Sequence, residues 1–456
     1  MPDSSFDCVV IGSGPGGYVA AIRAAQLQMK TAVVEKDKVG GRCLNYACIP
    51  AKAVLRSADV LMEVREAGEF GITVAEPEVD YQAVSARREK VISTLTGGVA
   101  MLLKKNGVET IAGEGALAGP GNVRVGDQTL QVKTVVLATG SQRRSLPGIE
   151  FGGRVIGTEE AYALPELPQS MAVVGAGASG AEIASAFARL GTEVMLFEAL
   201  DRVLPTEDAD ISKVAERGLK RQGIAIHTST LIENVTPGPE SVKFGYGGEQ
   251  AEVQWLVIAA GRGPDIGPLG LDAVGVKLDD NGLVDVDGAQ RTNVEGVYAI
   301  GDLVHGPALA HKASDEGIIA VEDAAGLQTH PIEYQDIPRA TFCTPNVASF
   351  GLTEAQARGQ GHDVVVGKVQ YGAVGAGTVY GDRNGLIKIV GDKRYGELLG
   401  GHIVGTRATE LIQELVNVRV LEGGYPELAR TIHGHPTLSE AIMEAARATD
   451  GWLIHG

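Results

Sequence analysis

The chain has 456 residues, too many for one hydrophobic core and enough for about three domains. Hydrophobic residues make up 44% and charged residues 21%, the balance of an ordinary folded protein, and the 62 glycines show no collagen-like period, so they point to tight turns rather than a fibre. A formal net charge of -17 with no basic run to offset it repels a phosphate backbone and excludes nucleic acid as a partner.

Residues 6–11 read as a short apolar strand, followed at once by Gly12-Ser13-Gly14-Pro15-Gly16-Gly17. These glycines interrupt the only early apolar stretch, so no signal peptide is expected. No apolar run is long enough to span a bilayer, and the expected compartment is the cytoplasm. An alanine-rich helix over residues 18–27 and a strand over 31–34, ending at Glu35, complete the order of a dinucleotide fold. Gly12, Gly14 and Gly17 let the backbone approach a pyrophosphate, which the free N–H groups of a helix start attract. Glu35 is placed to accept hydrogen bonds from a ribose diol.

Next comes Gly40-Gly41-Arg42-Cys43-Leu44-Asn45-Tyr46-Ala47-Cys48-Ile49-Pro50-Ala51-Lys52. Cysteines five apart lie about 8 Å along a regular helix. A disulfide asks for Cα atoms roughly 4.4–6.8 Å apart, so a bonded pair requires a bend here. On the residues alone, a bonded pair, a metal pair and two unrelated thiols are all open, although a closed zinc site lacks its second pair of ligands. The other two cysteines, Cys8 beside Val9 and Cys343 after Phe342, read as small buried hydrophobes.

Ala138-Thr139-Gly140 ends a further apolar strand, and then the dinucleotide pattern recurs. A strand over 171–174 meets Gly175-Ala176-Gly177-Ala178-Ser179-Gly180, and a strand over 194–197 leads to Glu198. Glu35 lies 23 residues after Gly12, and Glu198 lies 23 after Gly175. One such glycine turn is weak evidence; two with equal spacing to an acid are strong. Proteins with two such folds often hold a flavin in one and a nicotinamide in the other. Glu198 favours NAD over NADP, because a carboxylate repels a 2′-phosphate. Arg202 reads as a surface charge or the partner of a neighbouring acid.

Downstream, Gly296-Val297-Tyr298-Ala299-Ile300-Gly301-Asp302 is a strand that would place a carboxylate against the hydroxyls of a flavin's ribityl chain. With Thr139 and Gly140 it indicates a flavin domain interrupted by the second nucleotide domain. Near the end, His435 stands before Pro436-Thr437 and a helix over 438–448. A histidine suits the proton transfer that thiol–disulfide exchange needs. Thr437 and Glu440 have the spacing of a capping box, with both side chains satisfying free N–H groups.

These motifs, in this order and over nearly the whole chain, resemble the class I pyridine nucleotide–disulfide oxidoreductases. Leu309-Ala310-His311-Lys312-Ala313 and His433-Gly434-His435-Pro436-Thr437-Leu438-Ser439-Glu440 look most like the branch that oxidises dihydrolipoyl groups. The resemblance implies an FAD- and NAD-dependent enzyme with a Cys43–Cys48 redox disulfide. Cys43 would exchange with substrate, Cys48 would lie against the flavin, and His435, held by Glu440, would act as acid and base, a use of Glu440 that competes with the capping box. Lys52 would sit near the flavin and pair with Glu182. The helix start at Ala310 would point its positive end at the flavin, and position 262, in Gly261-Arg262-Gly263, joins the cofactor contacts. No metal is implied. The histidine of one copy would serve the cysteines of the other in a homodimer acting on a dihydrolipoyl carrier domain or another small dithiol or disulfide.

The fold class is α/β, two Rossmann-like dinucleotide-binding domains followed by a C-terminal α+β dimerisation domain. The expected divisions are an FAD domain over 1–149, an NAD domain over 150–270, a central domain over 271–336 that completes the FAD site, and an interface domain over 337–456. Three departures from the family bear on the substrate: Tyr46 and Ala47 replace a small valine–glycine pair, Ser179 a bulky aliphatic residue, and residues 372–377 a polar stretch with an arginine. A reductase of a different disulfide and a catalytically silent flavoprotein subunit are the alternatives.

Overall fold

The structure is a computed structural model that describes residues 5–456. The chain forms two compact bodies. The first gathers the residues up to Ala53, Ala83–Arg144 and Gly261–Tyr334; the second gathers Val54–Gln82, Ser145–Ala260 and Gln335–Gly456.

In the first body, strand Ser5–Ile11 lies between Thr31–Glu35 and Gln128–Leu137, parallel to both. Its run of Cys8, Val9, Val10 and Ile11 has no polar alternation because the strand is covered on both faces. Cys8 is fully buried there, and burial pushes its thiol up to about 12. Glu109–Ala112 extends the sheet beyond Thr31–Glu35, and Asn122–Val125 with Gly115–Leu117 forms an antiparallel flap on the other side. Strand Val297–Ala299 returns from far along the chain to pair in parallel with Gln128–Leu137. Helices Pro15–Gln26 and Ala310–Ala324 touch backbone to backbone. A Cβ added at Gly16 would come within 2.8 Å of the Ala313 carbonyl oxygen, and one at Gly317 within 2.7 Å of the Gly16 oxygen. Small residues here set the distance between two helices that share one sheet face.

The second body holds another parallel sheet, ordered Ala225–His227, Glu193–Phe197, Ser170–Val174, Trp255–Ile258 and Val155–Gly157. A three-stranded antiparallel sheet, Ile232–Pro237, Val242–Tyr246 and Glu249–Val253, shares its apolar core. The C-terminal part is a five-stranded antiparallel sheet running Arg339–Thr341, Val347–Gly351, Glu397–Val404, Leu386–Asp392 and Val364–Gln370. Its core joins Phe350, Ile387, Ile389 and Ile403 to Leu415 and Ile442 from the helices Ala408–Val420 and Glu440–Thr449.

One buried charge organises the second body. Lys388, 2% exposed at its side chain, points its ammonium at Asp208, Asp210 and Glu354, each 2.8 Å away. Burial works to raise the pKa of Asp208 and Asp210, but the ammonium groups of Lys388 and Lys368 outweigh it; Glu354 is lowered chiefly by its bond to Lys388. Replacing Lys388 with Met strands Asp208 in the interior, an expected loss of roughly 3–5 kcal/mol at neutral pH. Because the folded carboxyls are depressed, their stabilisation is present above about pH 4 and fades as pH falls through their lowered values. Urea midpoints of wild type and Lys388→Met should therefore converge on acidification; a gap that stays constant with pH would assign Lys388 to packing alone.

Candidate active site

The two glycine turns are built alike. Gly12 and Gly175 have φ of +102° and +100°, and a Cβ at either would strike a neighbouring carbonyl oxygen, Ala138 at 2.4 Å or Ala259 at 2.7 Å. Gly17 and Gly180 fit because their missing Cβ atoms would lie 1.9 and 1.8 Å from the carbonyl oxygens of Gly12 and Gly175. At Gly14 and Gly177, in contrast, a Cβ would meet nothing within 4 Å. No side chain caps the helices Pro15–Gln26 and Ala178–Leu190 that begin there. The tight glycines bring strand and helix together and the open ones leave room at uncapped helix starts, so both turns fit a pyrophosphate.

The acids are placed alike too. Glu35 accepts hydrogen bonds from the backbone N–H of Ser13 at 2.8 Å and of Asp37 at 2.9 Å. Glu198 accepts from Ala176 at 2.8 Å and Leu200 at 3.0 Å. Each carboxylate is thus anchored at the end of its strand, beside its own turn. Ser13 also donates its hydroxyl to Glu35 at 2.6 Å and accepts the N–H of Gly40 at 3.2 Å. Arg202 lies 3.7 Å from Asp201, the neighbouring-acid partner expected of a surface charge.

That Gly40 contact ties the cysteine segment to the first turn. Gly40 and Gly41 both have positive φ, and a Cβ on Gly41 would fall 2.6 Å from Gly14 Cα. The chain then makes a short helix, Gly41–Asn45, breaks at Tyr46, and starts a second helix, Cys48–Arg65. The bend that the spacing requires is this break. The Cys43 thiol is hydrogen-bonded to Cys48; that bond, then burial, pushes it far above an ordinary thiol, against the pull of Lys52 and Arg42. Cys48 opens a helix, where the free N–H groups favour a thiolate. Tyr46 turns its hydroxyl to Asp37 at 2.6 Å, and Lys38 lies 5.2 Å over its ring.

Other expected cofactor residues of the first body meet in a second cluster. Ser141 donates its hydroxyl to Asp302, and Arg262 donates to the Ser141 hydroxyl at 2.9 Å. The Thr139 hydroxyl donates to the Asp265 carbonyl at 2.6 Å, and the Gly140 carbonyl accepts the Asp265 N–H at 2.9 Å. Strands Ser141–Arg143 and Arg262–Pro264 pair antiparallel, which brings position 262 to this spot. Helix Ala310–Ala324 begins with neither a side-chain cap nor an acid in its first turn. These N–H groups and the Asp302 carboxylate fit the electron-rich ring edge and the hydroxyl chain of a flavin.

In the second body, Glu182 is buried on the Ala178–Leu190 helix and accepts the Phe342 N–H at 2.9 Å. His435 carries its Nδ1 2.9 Å from Glu440 Oε1, with the imidazole 76% exposed. Glu440 Oε2 accepts the Thr437 N–H at 2.9 Å. The two uses of Glu440 do not compete, since each takes its own oxygen. The helix begins at Glu440 rather than 438 because Thr437 donates its hydroxyl to the Gly434 carbonyl instead of capping. Burial raises the Glu440 pKa, but the Thr437 N–H and His435 outweigh it, so the carboxyl is held below its usual value. An ionised Glu440 fixes the proton on Nδ1 and leaves Nε2 as the basic nitrogen. His433 is engaged elsewhere, 2.5 Å from Glu414, whose bond raises its pKa.

Among the departures, Ser179 is exposed at its helix start. In the segment 372–377, Gly377 packs against the Tyr371 carbonyl, where a Cβ would fall 2.0 Å away, and Gly375 borders His435. Ser13 and Ser141 escaped the sequence reading because a serine beside a glycine is no signal until its distant acid is placed. Among the described residues no group of three His, Cys, Asp or Glu could hold a metal ion, and no helix is long and apolar enough to cross a membrane.

Comparison with known proteins finds likeness over nearly the whole chain. Residues 6–317 match the family described as pyridine nucleotide-disulphide oxidoreductase, and residues 337–446 match its dimerisation domain. The chain is 42% identical to a dihydrolipoyl dehydrogenase of Zymomonas mobilis and 41% identical to one of Bacillus subtilis, in each case over 99% of both proteins. Among solved structures it is similar to LpdA from Mycobacterium tuberculosis, with a TM-score of 0.90, 29% identity and coverage of 97% of this chain and 99% of that one. It also resembles the HOCl-induced flavoprotein disulfide reductase RclA from Escherichia coli, with a TM-score of 0.87, 25% identity and coverage of 98% and 99%. Paired nucleotide turns, a cysteine pair docked on the first of them and full-length likeness place the chain in the pyridine nucleotide–disulphide oxidoreductase family, as an FAD- and NAD-using flavoprotein disulfide oxidoreductase.

Proposed function

We propose that the protein is a dihydrolipoyl dehydrogenase, oxidising dihydrolipoyl groups on a carrier domain with NAD in the cytoplasm. The observation that carries this reading is the Cys43 thiol hydrogen-bonded to Cys48 at a helix start, on a segment packed against the first glycine turn. Full-length likeness to enzymes named dihydrolipoyl dehydrogenase supports the substrate.

The first turn, with Gly12, Gly14, Gly17 and Glu35, holds FAD together with Thr139, Gly140, Arg262, Asp302 and Ala310. The second turn, with Gly175, Gly177, Gly180 and Glu198, holds NAD. The proposed divisions are 1–149, 150–270, 271–336 and 337–456, with Arg262 joining the FAD site from the second, and two copies pair through the last. Bound FAD supplies the two-electron carrier between thiols and nicotinamide.

The residues of the chain do the rest. His435 of a second copy takes a proton from the substrate dithiol at Nε2, and Glu440 stabilises the imidazolium. The resulting thiolate attacks the oxidised pair at Cys43, forming a mixed disulfide and releasing Cys48 as the thiolate that its helix start favours. His435, having passed its first proton to solvent, deprotonates the second substrate thiol, which attacks the substrate sulfur of the mixed disulfide and expels Cys43 as a thiolate. Cyclic disulfide leaves, and Cys43 receives a proton from His435. Lys52 steadies the charge near the redox centre.

The deciding experiment is NAD reduction by the purified protein given free dihydrolipoamide, with NADP in parallel and Cys43→Ser as control. An NAD-specific rate that vanishes in the variant is expected. A yellow protein whose flavin is bleached by NADH but which gives no rate with dihydrolipoamide would sink the substrate while keeping the cofactors.

The two turns are separable by mutation. Gly17→Ala puts a methyl on the Gly12 carbonyl and should yield a colourless protein without flavin; Gly180→Ala should stay yellow yet lose NAD reduction. Equal loss of colour in both would contradict the assignment of nucleotides to turns. For the base, His435→Gln should slow kcat about 100-fold or more, with a smaller loss for Glu440→Gln, which keeps an acceptor for Thr437 but no charge for the imidazolium. A pH–rate profile with the same acid limb in wild type and Glu440→Gln would exclude that electrostatic role.

A further inference from the structure

We propose that the buried Lys312–Glu316 pair sets the affinity for flavin, by gripping the single peptide turn that presents Asp302. The proposal rests on the reading of Asp302 and the Ala310 helix start as flavin contacts. Gly301 turns the chain at the end of strand Val297–Ala299 with φ of +72°, and Asp302 follows it directly. Both polar groups of Gly301 are held by side chains. Its N–H donates to Glu316 Oε2 at 2.7 Å, and its carbonyl accepts from Lys312 Nζ at 2.8 Å. The two side chains are 0% exposed and stand 3.2 Å apart, one helical turn from each other. Tyr334 closes the cluster, donating its hydroxyl to Glu316 Oε1 at 2.5 Å with its ring 5.4 Å from the ammonium.

A buried ion pair is a poor device for stability, because desolvation offsets the attraction and an apolar pair often serves as well. Burial here pushes both groups toward their neutral forms, lowering Lys312 and raising Glu316. What an apolar pair lacks is a donor for the Gly301 carbonyl and an acceptor for its N–H. Both charged residues lie in the first two turns of the helix that starts at Ala310, so they fix that start relative to Asp302. The space is closed on the far side as well: a Cβ on Gly306 would lie 3.0 Å from Lys312 Cε and 2.9 Å from the Tyr334 ring. Lys312 and Glu316 are thus positioning residues that hold two flavin contacts at one separation.

The test measures FAD affinity of the apoprotein by fluorescence titration, together with the apoprotein Tm. The variants are the apolar double Lys312→Met/Glu316→Leu, the conservative Glu316→Gln and the peripheral Tyr334→Phe. The double should bind FAD about tenfold or more weakly, the loss of one to two hydrogen bonds to charged groups. Glu316→Gln, which keeps an oxygen for the Gly301 N–H, should retain more affinity than the double, and Tyr334→Phe should lose a smaller factor with little change in Tm. Wild-type FAD affinity in the folded double would overturn the proposal. Should the double fail to fold, unchanged affinity in both Glu316→Gln and Tyr334→Phe would overturn it equally. A wild-type apoprotein that takes up no FAD would instead sink the cofactor reading on which the proposal stands.

Discussion

Two peptide groups lying in contact with no side chain between them govern both nucleotide sites. Where the Gly12 carbonyl faces Gly17, and the Gly175 carbonyl faces Gly180, a single added carbon would have to occupy the space of an oxygen. This approach seats helices Pro15–Gln26 and Ala178–Leu190 on their strands and aims their starts outward at Gly14 and Gly177. It fixes where Glu35 and Glu198 can reach back to the turn. In the first body it also provides the flat backbone against which Gly41 rests, so the cysteine pair inherits its place from the nucleotide turn.

The proposed redox chemistry draws on helix starts as well as on reactive side chains. Cys48, Ala310 and Glu440 each open a helix. The first start favours a thiolate, the second leaves N–H groups for an electron-rich ring edge, and the third carries the acid that orients His435. None of these needs an unusual residue; each needs a chain end at the right place.

Such placement explains what was legible in the sequence. The glycine turns, their acids and the cysteine pair announce themselves because their partners lie within one strand–turn–helix unit. The break at Tyr46 was legible only conditionally, since a bonded pair demands a bend and the residues alone left the bonding of Cys43 and Cys48 open. The contacts that complete the sites were not legible. Ser141 meets Arg262 across 121 residues and Asp302 across 161, and no local pattern marks such a meeting. For Glu440, a capping box and imidazole binding stood as rivals; in the structure Thr437 does not cap the helix, and the two oxygens of Glu440 divide between the Thr437 N–H and His435. Tyr46, a bulky departure between the cysteines, is held through its hydroxyl by Asp37, a partner the motif itself does not contain.

The divided carboxylate of Glu440 ties two traits into one heritable unit. A residue that both begins the last helix and aims the imidazole offers mutation no way to alter the one while sparing the other. Under the proposed role of His435, drift that shortens or re-registers that helix would arrive at once as a misdirected base. The terminal helix is kept where it is by chemistry as much as by packing.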